Sequence, residues 1–227
     1  MPRLLDDKTV ALIQQAIGYH FKDRSLLKRA LTHRSVSSEH MERLEFLGDA
    51  VLGLAIAEYL HDKFPHYSEG ELSRMRAALV RKESLMSVAA IWQLDRFLVV
   101  GEGERKEGRL KSQSIAANGV ESLIGAVFQE AGWEEARRLI MHSWSLMLKE
   151  VDVDSVLDPK SRLQEFTQGK GWGLPEYSIT DHGVGTSPRF SAQCSVNGEW
   201  LGKGLGDRKK TAELDAAERA WEALSNK

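Results

Sequence analysis

The stretch HMERLEFLGDAVLGLAIAEYL, residues 40–60, decides the fold of the first 150 residues. Apolar residues return at helical spacing from Leu44 to Leu60 with no proline to stop them, which predicts one long helix. Its acidic residues Glu42, Glu45 and Asp49 stand at i, i+3 and i+7. At about 100° per residue they share an arc of about 60° on one face. Leu44, Leu47, Val51 and Leu54 are expected to pack on the opposite side, while Phe46 and Ala50 lie near the acidic arc. An acidic stripe of this kind is commonly a solvated face. Two features argue otherwise: no lysine at i+4 neutralises it, and the helix is apolar around most of its circumference.

Outward along the chain, SIAANGVESLIGAVF (114–128) repeats the geometry. Asn118 and Glu121 stand at i and i+3, with Val120, Leu123, Ile124 and Val127 largely opposite. Two helices that turn oxygen ligands toward each other would hold a hard divalent cation such as Mg²⁺. Helical spacing recurs in Leu26–Leu31, Leu72–Val88 and Ala136–Leu148, so residues 1–150 read as helical almost throughout. The segment VDVDSVLDPK (151–160) has three aspartates, a proline and no clear period, and reads as a linker.

Beyond it the pattern changes. RLQEFTQGK (162–170) predicts a short helix ending at Gly169 or Gly171. Phe190, Ala192, Cys194 and Val196 alternate with Arg189, Ser191, Gln193 and Ser195, the period of a half-buried strand. Asn197-Gly198 then signals a hairpin, with GEWLGKG as the return strand and Pro175–Thr180 as a third. KTAELDAAERAWEAL closes the chain as a helix, with Ala212, Ala216, Ala220 and Leu224 at helical spacing.

The composition of the 227-residue chain, 42% hydrophobic and 28% charged, is that of an ordinary globular protein and excludes wholesale disorder. No apolar run approaches the roughly 18 residues of a membrane span, and the acidic start is unlike an export signal. One cysteine, Cys194, excludes an internal disulfide framework and a cysteine zinc cage. These features predict a cytoplasmic protein. Residues 1–150 carry 21 Lys/Arg against 21 Asp/Glu, and residues 151–227 carry 10 against 12, so any nucleic-acid contact must come from local patches. Lys203, Arg208, Lys209 and Lys210 form such a patch, opposed there only by Asp207.

ERLEFLGDAVL (42–52) resembles the signature of the bacterial ribonuclease III family, and LTHRS (31–35), EGELSRMRAALV (69–80), GEGERKEG (101–108) and ESLIGAVF (121–128) agree with it. Residues 158–227 resemble a double-stranded-RNA-binding domain through PKSRLQEFTQGKG, LPEYSI and GKGLGDRKKTAELDAAERA. The resemblance implies an all-α endonuclease domain (7–132), a last helix and linker (133–157) and a small α+β domain of α-β-β-β-α order (158–227). It implies Mg²⁺-dependent hydrolysis of double-stranded RNA to 5′-phosphate and 3′-hydroxyl ends, with Mn²⁺ as a substitute ion and no organic cofactor. It further implies ribosomal-precursor and structured-messenger processing by a homodimer joined near the signature helix.

By position, the resemblance assigns Asp49 and Glu121 as catalytic, Glu45, Asp49, Asn118 and Glu121 as metal ligands, and Glu42 as a supporting residue of the catalytic valley. It assigns Gln164 and Glu165 to the RNA minor groove and Arg208, Lys209 and Lys210 to phosphates, at a helix start whose dipole favours anions. Gly204–Gly206 is expected to permit close backbone approach there. The family's usual Asp is Asn118 here, which keeps a carbonyl ligand but removes a charge. That departure raises the alternative of a cleavage-impaired dsRNA-binding dimer. In the strand loop where the family often has His, this chain has Thr186, with His182 four residues earlier.

No GxSxG, H-E-x-x-H or Cys–His pairing supports a covalent hydrolase or a zinc protease. A carboxylate-bridged di-iron bundle would need E-x-x-H pairs that are missing, and would leave the second domain unexplained. His33 in LTHRS reads as structural, and the six tryptophans as core or domain-edge residues. The charged stretch 101–113 reads equally as a solvated loop or as one that touches RNA.

Overall fold

The computed structural model of the protein describes residues 6–106, 109–151 and 159–225. The chain divides into two compact units, 1–151 and 152–227. The first is helical. Its helices are α1 (Asp7–Ile17), α2 (Arg24–Leu31), α3 (Glu42–Lys63), α4 (Glu69–Val80), α5 (Lys82–Ile91), α6 (Gln113–Ala131), α7 (Trp133–Ser143) and α8 (Ser145–Glu150). A two-residue antiparallel ribbon, β1 (Arg105–Lys106) with β2 (Arg109–Leu110), leads into α6. The ribbon falls inside the charged stretch, of which residues 107–108 lie outside the described residues.

α6 is the centre of this unit. Val120, Leu123, Ile124 and Val127 are all fully buried, as their spacing requires. α1 contributes Val10, Ile13 and Ile17 at i, i+3 and i+7, and Asp6 caps its first turn by accepting the Thr9 N–H. The apolar run Leu72–Val88 is two helices, because Arg81 adopts an extended conformation and breaks it. Ser68 and Glu71 form a capping box that starts α4. Ala136–Leu148 is likewise broken, at Trp144, whose buried indole donates to the Leu79 carbonyl. α7 and α8 bury Ala136, Leu139, Ile140 and Leu148 in this first unit.

The predicted packing face of α3 needs correction. Leu44 and Val51 are buried, but Leu47 is only half-buried and Leu54 is 58% exposed. The buried stripe runs instead through Leu44, Gly48, Val51, Leu52, Ala55, Ile56 and Leu60. Phe46 is 81% exposed, and Ala50 is also exposed, so Phe46, Ala50 and Leu54 make an apolar stripe of their own at i, i+4 and i+8.

The second unit has the order α9 (Pro159–Gly169), β3 (Glu176–Asp181), β4 (Phe190–Val196), β5 (Glu199–Gly206), α10 (Lys209–Ser225). The three strands form one antiparallel sheet in sequence order. Most of the linker, residues 152–158, lies outside the described residues. Asn197 and Gly198 both take positive φ, 52° and 79°, as a two-residue hairpin turn demands. Phe190, Ala192, Cys194 and Val196 form one core cluster with Leu163 and with Ala212, Ala216, Ala217 and Ala220. Two ion pairs join the helices, Lys160–Glu213 at 3.0 Å and Arg162–Glu218 at 2.6 Å.

Candidate functional site

Two helices set the geometry of the first site. A Cβ on Gly48 of α3 would stand 1.7 Å from the Glu121 carbonyl oxygen, and one on Gly125 of α6 would stand 2.1 Å from that of Leu44. Only glycine fits at either place, so the two backbones meet. Close approach brings Glu45 and Asp49 of α3 beside Asn118 and Glu121 of α6. All four line a cleft of about 650 Å³ together with Glu42. The residue pattern pointed to these five but not to the glycines, which carry no polarity or periodic signal.

The cleft's electrostatics follow from this crowding. Burial lifts the Glu121 carboxyl to about 7, and the charges of Asp49 and Glu45 push the same way. Glu45 is also raised, by burial first and then by Glu42, while a hydrogen bond from the Asn118 side chain pulls it down. Glu45 Oε2 is buried and has no hydrogen-bond partner. Glu42 is engaged elsewhere than with this trio of acids. It accepts from Arg34 Nη1 at 3.1 Å, and His40 Nδ1 lies 3.8 Å from its other oxygen.

An all-oxygen donor set with mutually repelling charges and one orphaned buried oxygen fits a hard divalent cation. Among the described residues no three His, Cys, Asp or Glu groups close around one metal position. The acids line an open cleft rather than a cage, with Asn118 as the uncharged oxygen donor.

The segment that opens the cleft wall is pinned by its backbone. Thr32 bridges Val99, and the Met41 N–H donates to the Thr32 carbonyl. Ser35 Oγ accepts the Gly101 N–H and lies 2.8 Å from His33 Nδ1. His33 lines the cleft but spends one ring nitrogen on this local bond, in keeping with a structural part.

The second set of residues lies on the second unit. Gln164 and Glu165 are exposed on α9, and Arg208, Lys209 and Lys210 are exposed at the start of α10. The role expected for Gly204–Gly206 is corrected. A Cβ on Gly204 would lie 2.2 Å from the Ala212 carbonyl oxygen, and one on Gly206 2.7 Å from the Ala212 nitrogen. These glycines let β5 lie flat against α10, so they face the protein's own helix. The loop between β3 and β4 is tied by the Asp181–Arg189 ion pair at 2.9 Å. In it, Thr186 Oγ1 donates to the Gly183 carbonyl and His182 Nε2 meets Ser191 Oγ at 2.9 Å. Trp92 and Trp144 are core residues as expected, whereas Trp200 is 59% exposed.

Residues 23–147 match the family model described as ribonuclease-III-like, and residues 159–224 match the double-stranded RNA binding motif. A protein described as ribonuclease 3 from Buchnera aphidicola (subspecies Schizaphis graminum) is 43% identical over 92% of this chain and 93% of its own length. Ribonuclease 3 from Vibrio atlanticus is also 43% identical, over 94% and 96% respectively. Among solved structures, the nuclease domain of ribonuclease III from Campylobacter jejuni is 40% identical, with a TM-score of 0.60. That match covers 64% of this chain and 99% of the other.

Proposed function

The chain belongs to the ribonuclease III family of metal-dependent endoribonucleases, and we propose that it is an Mg²⁺-dependent enzyme that hydrolyses double-stranded RNA to 5′-phosphate and 3′-hydroxyl ends. The observation that carries this reading is the convergence of Glu45, Asp49, Asn118 and Glu121 on one cleft at the Gly48–Gly125 crossing. Those four residues would hold the ion, with Mn²⁺ as a substitute, and Asp49 and Glu121 are the catalytic pair. When bound, the cation supplies charge neutralisation at the phosphate and a more acidic water.

The chain's own residues supply the rest. Glu45, Asp49 and Glu121 concentrate negative charge where a cation must sit. Asn118 contributes an oxygen without a charge, so the site binds the ion less tightly than a fourth carboxylate would. Glu42 supports the valley from its edge. The second unit presents Gln164 and Glu165 to the minor groove and Arg208, Lys209 and Lys210 to phosphates, reading duplex shape rather than sequence.

A homodimer fits the exposed Phe46–Ala50–Leu54 stripe, which one helical unit leaves unburied. A Campylobacter jejuni nuclease-domain structure, 42% identical with a TM-score of 0.57, is described as flexible in a region involved in dimer formation; that match covers 60% of this chain and 99% of the other. No described helix is long and apolar enough to cross a membrane. Cytoplasmic processing of ribosomal precursors and structured messengers is the setting that the family relationship favours. The binding-only dimer considered because of Asn118 finds no support in the comparisons.

The test is incubation with a long perfect RNA duplex, with Mg²⁺ or with EDTA, alongside a single-stranded control. Short duplex products with 5′-phosphates, formed only with Mg²⁺ and only from duplex, are the expected result. Binding without any cleavage over a wide Mg²⁺ range would overturn the proposal.

A further inference from the structure

The cleft sets a problem for its own substrate. Glu42, Glu45, Asp49, Glu104 and Glu121 all line it, and a phosphodiester arriving there is itself an anion. Among the described residues that line the cleft, Arg34 is the one guanidinium or ammonium group. Its side chain is 69% exposed, and a single hydrogen bond, to Glu42, occupies one nitrogen of its fork. A guanidinium presents five N–H donors in a planar array suited to phosphate oxygens, so most of its capacity still faces solvent.

Its position is built rather than accidental. Arg34 lies between Thr32, held by the Val99 bridge, and Ser35, which accepts the Gly101 N–H at 2.9 Å. Glu42 opens α3 and takes the Arg34 side chain at 3.1 Å. Glu42 therefore does something different from its helix neighbours. Glu45 keeps a buried, unpartnered oxygen in the cleft, whereas both Glu42 oxygens face basic groups, Arg34 and His40.

We infer that Arg34 contacts an RNA backbone phosphate at the cleft, with Glu42 as the positioning residue that holds its guanidinium there. This rests on the proposed function and assigns the first glutamate of the signature a task outside the metal set. Arg34 offsets the acidic wall for the phosphate without displacing any metal ligand.

The test uses the full chain and a short perfect RNA duplex. Arg34→Ala is expected to slow single-turnover cleavage by about ten- to a hundredfold, the loss of one charge-assisted hydrogen bond. Arg34→Lys, which keeps the charge but not the fork, should recover part of that rate. Binding supplies a readout apart from catalysis. In a Glu121→Gln background with Mg²⁺ present, Arg34→Ala should lower the salt slope of duplex affinity by about 0.7–0.9, the share of one neutralised phosphate. Glu42→Gln should slow the Arg34 protein but have little further effect on Arg34→Ala, since it acts through Arg34. If the unaltered chain cleaves the duplex while Arg34→Ala matches it in rate and salt slope, the inference fails and the nuclease reading stands. If the unaltered chain does not cleave duplex at all, it is the nuclease reading that fails.

Discussion

The two units use one packing device for different ends. In the first, Gly48 and Gly125 let two helices touch backbone to backbone; in the second, Gly202, Gly204 and Gly206 let a strand lie on the Ala212, Ala216 and Ala220 side of α10. The helix crossing creates a site. It forces side chains of like charge from two elements into one half-buried cleft, where the Glu121 carboxyl is pushed up to about 7. The strand–helix packing creates only a platform. Its charged residues, Arg208, Lys209 and Lys210, remain exposed on the outer surface. On the proposed reading, function in the first unit depends on packing, and in the second on charge placed over packing.

That contrast predicts a descending series of effects. Glu121→Ala should cost about a thousandfold or more in cleavage rate, because it removes both a charge and a proton-handling carboxyl from a crowded cleft. Duplex binding by the same variant should stay close to normal. Equal losses of binding and rate would erase the distinction between the two units.

Next come the glycines. Gly48→Ala places a methyl against backbone with no side chain to yield, and should cost about 3 kcal/mol or more of stability together with cleavage. Gly204→Ala should damage the second unit to a similar degree but leave cleavage by the first at low salt. Circular-dichroism melts with low-salt cleavage assays separate the two. Loss of low-salt cleavage in Gly204→Ala would break the comparison.

A pH effect follows from Glu121. Its folded pKa lies above the usual 4.5, so the folded chain binds an extra proton between about pH 4.5 and 7. The associated stability is present below pH 4.5 and lost as pH rises through 7. After allowance for solvent screening it amounts to about 1–2 kcal/mol. In EDTA, the melting temperature of Glu121→Gln should gain on that of the unaltered chain as pH rises from 5 to 8. A constant gap would show that the cleft does not strain this carboxyl.

The smallest effect belongs to the second unit. Neutralising Lys209 and Lys210 together should lower duplex affinity uniformly across sequences and reduce the salt slope by about 0.7–0.9 for each phosphate that a lysine no longer neutralises. A sequence-dependent change would point to base readout instead.

Much of this was legible from residue order. The i, i+3, i+7 acids needed only the helix period, and they line the cleft together. Strand alternation from Phe190 to Val196 and the Asn197-Gly198 turn needed only local rules. What escaped was set by partners. Gly48 and Gly125 have no signature until two helices meet. Leu47 and Leu54 look like core because periodicity cannot say what covers an apolar face. Arg81 and Trp144 end helices without proline or glycine, since tertiary bonds such as Trp144 to Leu79 reward the break. The pairing of Glu42 with Arg34 joins a helix to the loop before it, and no spacing rule announces it.

Asn118 offers the most direct test of the claim that the helix crossing builds a metal-dependent site. The measurement is duplex cleavage rate against Mg²⁺ concentration for the unaltered chain and for Asn118→Asp. Because one added charge among the ligands favours the ion, the half-maximal Mg²⁺ concentration should fall by about tenfold, with both proteins active. Identical Mg²⁺ curves would mean that Asn118 does not reach the ion and would contradict the account.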